Sequence, residues 1–267
     1  MAITTIDGAL AGMQPPREIV KALTGTLVAG RPMSLFYLAG IPAAAAVPTP
    51  GLAGAVLTSY GGQLPFTNPA SGNSYLARFQ AQATQAGTLL LCDRLWHNSG
   101  INVTSVAEQV FTGASQIPPR DQNGTNAGVG VYAAVEVVTT TGSGSPTLTL
   151  KYTDQDGNPG AITTNQVATS GASIAGTFHT FGLDVGDTGI QKVESLTLSS
   201  TWTSGALSVV LYRVLARLEL QSLLPNAIDA LTGGFVRLYD NSVPFLVFVP
   251  STTTSSNILG HVIWTQG

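Results

Sequence analysis

From about residue 75 onward, apolar and polar residues alternate with the period of a β-strand rather than with that of a helix. The cleanest example is residues 147–153 (TLTLKYT). Leu148, Leu150 and Tyr152 fall on one face, whereas Lys151 and the threonines fall on the other. This pattern predicts a strand with one buried face.

A longer alternating run, residues 209–220 (VVLYRVLARLEL), admits two interpretations. Leucine and arginine are good helix formers, but strict alternation over so many residues favours a strand. The strand would place six residues on one face: Val210, Tyr212, Val214, Ala216, Leu218 and Leu220. The opposite face would carry Arg213, Arg217 and Glu219.

Turn-forming segments separate the alternating runs at short intervals. Residues 142–146 (GSGSP) and 154–160 (DQDGNPG) are typical hairpin connections. Near the C-terminus the runs FVRLY, FLVFV and HVIW predict three more strands. Together these features predict a mainly β protein built as an antiparallel, jelly-roll-like β-sandwich.

The first 74 residues follow another pattern. Residues 16–23 predict one short helix, because prolines precede it, Glu18 lies in its first turn and Gly25 can close it. The prolines between residues 32 and 69 then disfavour further helix. We therefore expect an extended, Pro-rich N-terminal arm with one short helix (residues 1–74) and a β-sandwich body (residues 75–267).

Charged residues make up only 9% of the chain, against about 25% in an ordinary soluble domain. The net charge of −3 gives no electrostatic signature of binding to nucleic acid or to an anionic membrane. No Asp, Glu, Lys or Arg occurs between residues 32 and 77, or after Asp240. Such uncharged stretches indicate a surface that contacts another protein, burial in the chain's own core, or loops that are merely neutral.

The cysteine count and the N-terminal sequence limit the class of protein further. The single cysteine, Cys92, excludes an intrachain disulfide framework and a multi-cysteine metal site. The N-terminus lacks the basic start and apolar run of a signal peptide, and the longest apolar stretch (residues 34–47) is too short to span a bilayer. We expect a soluble chain made in the cytoplasm.

The best candidate for chemistry is residues 92–100 (CDRLWHNSG). On a regular strand Asp93 and His97 would share a face, with Ser99 nearby, which suggests a hydrolytic site. The simpler interpretation is a structural strand end, because adjacent residues of one strand rarely supply a catalytic triad. The histidines His97, His179 and His261 are too widely spaced for a zinc site.

Acidic residues offer two weaker possibilities. Asp154, Asp156 and Asn158 resemble part of a calcium loop, but the same residues favour a hairpin turn. The three glutamates that a glycosidase could use lie on separate predicted strands: Glu136, Glu194 and Glu219. The sequence therefore predicts a non-enzymatic protein with no catalytic residues, no cofactor and no bound metal.

Three segments resemble virion structural proteins of tailed bacteriophages. They are residues 92–104 (CDRLWHNSGINVT), 118–137 (PPRDQNGTNAGVGVYAAVEV) and 148–165 (LTLKYTDQDGNPGAITTN). The resemblance covers most of residues 75–215 and brings no catalytic residues with it. It implies a capsid decoration (cement) protein, a tail or baseplate component, or a receptor-binding protein.

Among these, the uncharged arm favours a capsid decoration protein that clamps neighbouring capsid subunits and stabilises the shell. The expected partners are the major capsid protein or other virion proteins and further copies of the chain, as a homotrimer in the virion, with no nucleic acid and no membrane. The alternative is a tail, baseplate or receptor-binding component that binds a host-surface glycan. Exposed aromatic residues such as Trp202 or Tyr239 would then form the glycan platform.

Overall fold

The computed structural model describes residue 3, residues 5–234 and residues 236–267. Within these residues nearly all regular structure is strand. The helices are α1 (Ile6–Ala11) and α2 (Ala230–Gly233). The strands are β1 (Arg17–Leu23), β2 (Met33–Ser34), β3 (Gly40–Ile41), β4 (Ala55–Val56), β5 (Ser74–Ala83), β6 (Gly87–His97), β7 (Gln109–Val110), β8 (Val131–Thr139), β9 (Leu148–Asp154), β10 (Pro159–Thr164), β11 (Phe178–Thr180), β12 (Ile190–Leu198), β13 (Ala206–Leu220), β14 (Asn226–Asp229), β15 (Arg237–Leu238), β16 (Pro244–Pro250) and β17 (Ser256–Gln266).

The strands form three antiparallel sheets. The central sheet has the order β11-β8-β13-β6-β16-β2, with β4 paired to β6. A four-stranded sheet has the order β10-β9-β12-β7, and a six-stranded sheet the order β14-β5-β17-β1-β3, with β15 paired to β5. This arrangement confirms the predicted mainly β, antiparallel sandwich.

Two apolar cores lie against different halves of the central sheet. The first core joins it to the four-stranded sheet and includes Leu95, Val135 and Leu150. The second core joins it to the six-stranded sheet and includes Leu89 and Phe79. The long strands β6 and β13 contribute to both cores.

A third apolar cluster contains residues of the central sheet and of the first uncharged stretch. Phe178, Tyr212 and Phe245 belong to it, together with Phe36, and Tyr60 packs against them. Residues of the uncharged stretch thus cover part of the central sheet. Burial within the chain's own core therefore accounts for part of that stretch.

The predicted helix over residues 16–23 is wrong, because these residues form β1. The strand pairs with β17 from Arg17↔Val262 to Leu23↔Ser256, and it buries Ile19, Lys21 and Leu23 on one face. Local signals favoured a helix, but pairing with a strand about 240 residues away decides the structure. A short helix does occur earlier, at α1, where the Thr5 hydroxyl accepts the Gly8 N–H.

Residues 24–73 contain little regular structure but are not separate from the rest of the fold. Leu27, Leu35 and Leu64 are buried in the second core. Only the two-residue strands β2, β3 and β4 interrupt the irregular backbone. The division into an anchoring arm and a body remains a prediction.

The strand predicted over residues 209–220 is confirmed as part of β13, but its single continuous apolar face is wrong. The pairing with β6 shifts register between Leu211 and Tyr212 and again between Val214 and Ala216. The first shift is the extra residue Leu95 in β6, and only the second, at Leu215, lies in β13 itself. Before Leu215 the odd-numbered residues of β13 face the two cores and after it the even-numbered ones do, so Arg213 is buried and Val214 is 36% exposed. The strand predicted at residues 147–153 has the expected buried face, and the three predicted C-terminal strands correspond to β15, β16 and β17.

Candidate functional site

Asp93 and His97 do not share a face, so the predicted geometry of this pair is wrong. Leu211 pairs with Trp96 and Tyr212 with Arg94, which leaves Leu95 as an extra residue in β6. His97 therefore lies beside Arg94, whose Nε donates to His97 Nδ1 at 3.3 Å.

The three members of the suggested hydrolytic site have separate structural partners. Asp93 accepts hydrogen bonds from Ser242 Oγ at 2.9 Å and from Val243 N at 2.7 Å. Ser99 Oγ accepts the Gly51 N–H at 2.9 Å and so fixes a loop. In the described part of the chain, Asp93, His97 and Ser99 bond to these separate partners and not to one another. The arrangement supports no nucleophile–base relay.

Arg94 and Glu136 form a fully buried ion pair behind the first uncharged stretch. Arg94 Nη2 lies 2.6 Å from Glu136 Oε2, and both side chains are 0% exposed. The guanidinium lies 4.6 Å from the ring centroid of Phe36 and 5.6 Å from that of Phe245. Burial and the charge of Arg94 lower the pKa of His97 to about 3, so His97 is neutral at physiological pH.

Asp93 belongs to a second buried ionic group on the other face of β6. Along this face Asp93 lies between Leu91 of the second core and Leu95 of the first. Arg120 Nε approaches Asp93 Oδ2 at 3.7 Å, and Arg120 Nη2 donates to the Leu57 carbonyl at 2.7 Å. The ionic group therefore lies where the two cores meet, and its contacts are with other residues of the fold.

The three candidate glutamates also remain apart. Glu136 pairs with Arg94, Glu194 accepts from Thr153 Oγ1 at 2.9 Å, and Glu219 accepts from Thr88 Oγ1 at 2.6 Å. Each carboxylate thus has its own local partner, and the structure assembles no pair across a cleft of the kind that glycosidases use.

The Asp154 segment forms the predicted hairpin turn between β9 and β10. The Asp154 carboxylate accepts the backbone N–H groups of Asp156 and Asn158, each at 2.8 Å. Over residues 3, 5–234 and 236–267, no group of three potential metal ligands occurs.

The aromatic residues suggested as a glycan platform have different surroundings. The prediction that Trp202 is exposed is wrong. Its side chain is fully buried, and its Nε1 donates to the Ser170 carbonyl. Tyr239 is half-buried beside a cleft of about 400 Å³. The guanidinium carbons of Arg213 and Arg237 lie 5.1 and 4.6 Å from its ring centroid, so arginine contacts already occupy part of the ring.

The most distinctive surface is an exposed loop with no charged side chain, residues 39–49 (AGIPAAAAVPT). Ile41 is 50% exposed and Val47 is 56% exposed. Across the adjoining strands, Ile41 pairs with Val20, which in turn pairs with Leu259; these two residues are 40% and 42% exposed. We call residues 39–49 with Val20 and Leu259 the uncharged patch.

The loop of the uncharged patch is held in place from below by Lys21. This side chain is buried, and its Nζ donates to the carbonyls of Leu38 and Pro42, each at 2.6 Å. Burial lowers the pKa of Lys21 to about 8. Further bonds run from Ala45 N to the Phe36 carbonyl and from Tyr60 Oη to the Ala46 carbonyl. The patch is therefore an ordered surface, which reduces the entropy cost of binding.

Comparisons with known proteins identify no family. No protein-family model matches the chain, and no curated protein matches it. Weak structural alignments relate it to particles of infectious bursal disease virus. The T13 viral particle aligns at 9% identity and a TM-score of 0.20, covering 96% of this chain and 77% of the other. The VP2 subviral particle aligns at 11% identity and a TM-score of 0.18, covering 96% and 82%. Scores this low establish neither a shared fold nor a shared function.

Sequence reasoning identified the lack of charge in the patch but not Lys21 or the buried ion pair. In the apolar run LLLCDRLWH, two adjacent opposite charges were a usable signal, because neighbouring strand residues point to opposite faces. Both faces of a central strand are buried, so each charge needed a partner.

No helix in the part of the chain that the structure describes is long and apolar enough to cross a membrane.

Proposed function

We propose that the chain is a non-enzymatic structural component of a phage particle, and specifically a capsid decoration protein. The phage-like segments in residues 92–165 suggest the setting. The β-sandwich, whose described ionic groups are mostly engaged in structural contacts, is compatible with a structural role.

The uncharged patch is the observation that carries the proposal. An apolar surface without ions can be buried in an interface without the cost of desolvating charge. Each 100 Å² of apolar area removed from water contributes about 2.5 kcal/mol before ordering costs. Because the patch is already ordered, it suits a contact repeated at many equivalent positions on a shell.

In this proposal the patch contacts the major capsid protein or another virion protein. The loop over residues 39–49 clamps neighbouring subunits, and the sandwich body stands above them. This narrows the anchoring role expected for residues 1–74 to the exposed part of that segment.

The first test is the copy number of the chain in purified particles, measured by quantitative mass spectrometry against the most abundant shell protein. A ratio near one-to-one is the expected result. A handful of copies per particle would instead favour the tail, baseplate or receptor-binding alternative, and absence from the particle would overturn both.

The second test uses single substitutions, because deleting residues 1–31 would remove β1 from its sheet. Val47→Asp and Ala44→Asp place a carboxylate in the patch and should abolish binding to particles that lack the protein. Val185→Asp is the matched control, since Val185 is fully exposed and lies elsewhere. Unchanged binding of both patch variants would exclude the patch as the contact.

A further inference from the structure

A second exposed apolar surface lies at the other end of the six-stranded sheet. Residues 221–234, which we call the α2 lobe, are almost entirely exposed. The lobe exposes three leucines: Leu223 at 70%, Leu224 at 56% and Leu231 at 79%. Three exposed leucines within fourteen residues make the lobe a candidate interaction surface.

A groove of about 290 Å³ separates the α2 lobe from α1. Its apolar walls include Ile6, Leu10 and Met13 on one side and Leu231 on the other. Ile6 is 67% exposed and Leu10 is 56% exposed. Leu231 thus projects beside a groove of the size that receives such a side chain.

The backbone of β14, the strand at this edge of the sheet, is closed to an added strand. The Ala227 N–H is accepted by Asn226 Oδ1 at 2.8 Å, and the Asp229 N–H by Thr232 Oγ1 at 3.1 Å. An extended peptide therefore finds these donors already occupied. Side-chain packing into the groove is the remaining mode of contact.

The backbone fixes the position of Leu223, at the start of the α2 lobe. Leu223 has a φ of 61°, in the left-handed region that large side chains rarely occupy. Its N–H donates to the Ala83 carbonyl at 2.8 Å, which fixes this conformation. The chain accepts an unfavourable backbone conformation and leaves an apolar side chain in solvent at the same residue.

We propose that the occupant of this surface is the same surface on a second copy of the chain. The groove is lined by one cation and one anion, Arg78 and Asp229, which lie opposite each other on β5 and β14. A two-fold contact places Arg78 of each copy opposite Asp229 of the other, whose Oδ1 also caps α2, so the two surfaces offer each other opposite charges. Leu231 of each copy then enters the groove of its partner.

The test is sedimentation velocity and light scattering of the purified full chain across a wide concentration range. We expect wild-type chain to self-associate, and Leu231→Asp or Leu10→Asp to raise the dissociation constant about 30-fold or more, the effect of removing an interface anchor. Val185→Asp, which alters another exposed apolar residue, should leave association unchanged. Thermal melting checks that each variant is folded.

Each outcome decides the proposal. A wild-type chain that stays monomeric at every concentration overturns it, and so does an oligomer that both groove variants leave intact. If Leu231→Asp fails to fold, the exposed Leu10→Asp variant gives the answer from the opposite wall. The experiment needs no virus particle, so its result is separate from that of the capsid-binding test.

Discussion

The two uncharged stretches of the chain share the lack of charge but differ in composition and in structure: residues 32–77 hold nine alanines and six prolines, whereas residues 241–267 hold no alanine and two prolines. The stretch after Asp240 forms β16 and β17, which lie in the interior of two sheets and bury Phe248 and Val262. The stretch over residues 32–77 is mostly irregular, and its residues 39–49 face solvent. Absence of charge therefore has two physical causes here: burial in the chain's own core, and a surface left free of ions.

The largest expected effect distinguishes the buried stretch from the exposed one. Phe248→Ala should lower the free energy of unfolding by about 3–5 kcal/mol, because it leaves a cavity in the second core. Urea denaturation measures the change. A loss below about 1 kcal/mol would mean that β16 is not the packed strand described above.

A similar loss in the free energy of unfolding is expected from a substitution of Arg94. This side chain lies between Phe36 of the first stretch and Phe245 of the second. Arg94→Met leaves the Glu136 carboxylate buried without its partner and should cost about 3–5 kcal/mol. The double variant Arg94→Met/Glu136→Leu should recover most of that loss. Arg217→Met is the control, because the Arg217–Glu219 pair has the same 2.6 Å distance but is exposed, and its loss should cost less than about 1 kcal/mol.

Acid should destabilise the protein through His97, which Tyr60 of the first stretch covers. The folded-state pKa of about 3 lies below the ordinary value, so below pH 6.5 the unfolded chain binds a proton that the folded chain does not. Stability contributed by neutral His97 is complete above pH 6.5 and should fall by about 1.4 kcal/mol per pH unit toward pH 4. His97→Gln should flatten this part of the stability curve; parallel curves for the two proteins would contradict the explanation.

Lys21 should control the order of the exposed loop more than global stability. Lys21→Met removes both hydrogen bonds to the loop carbonyls, and cleavage by elastase within residues 43–47 should become about tenfold faster. Because the folded-state pKa of about 8 is depressed, wild-type stability relative to the variant should rise between pH 8 and pH 10. An unchanged cleavage rate would show that Lys21 does not hold the loop.

The smallest effect on stability is expected in the exposed stretch itself. Val47→Asp should change the free energy of unfolding by less than about 0.5 kcal/mol, since the side chain is 56% exposed. Thermal melting gives the value. A large loss would show that residues 39–49 pack against the fold as tightly as β16 does.

The sequence was sufficient where one local pattern determined the structure. Leu148, Leu150 and Tyr152 alternate with polar residues because one face of β9 is buried, so both the strand and its face could be predicted. β1 could not be predicted, because its pairing with β17 involves residues far away in the chain. Proline and Glu18 near its start gave the opposite local signal.

The inward and outward faces predicted for β6 and β13 are wrong beyond their bulges for a similar reason. The extra residue Leu95 reverses the direction in which every later side chain of β6 points. No residue type in this part of the sequence predicts such a bulge. The Asp93–His97 prediction failed for this reason alone. For the candidate surface, the absence of charge in residues 39–49 was visible in the sequence, whereas their exposure and the support from Lys21 required the fold.

The bulged strands β6 and β13 also set the cooperativity of unfolding. β13 passes through the first core and then the second, and the antiparallel β6 passes through them in the reverse order, so the two cores share these strands. When the backbone pairing of β6 with β13 breaks in one half, the other half loses its framework as well. We therefore expect the two cores to unfold as one unit, so that a partner bound at either end stabilises the whole molecule.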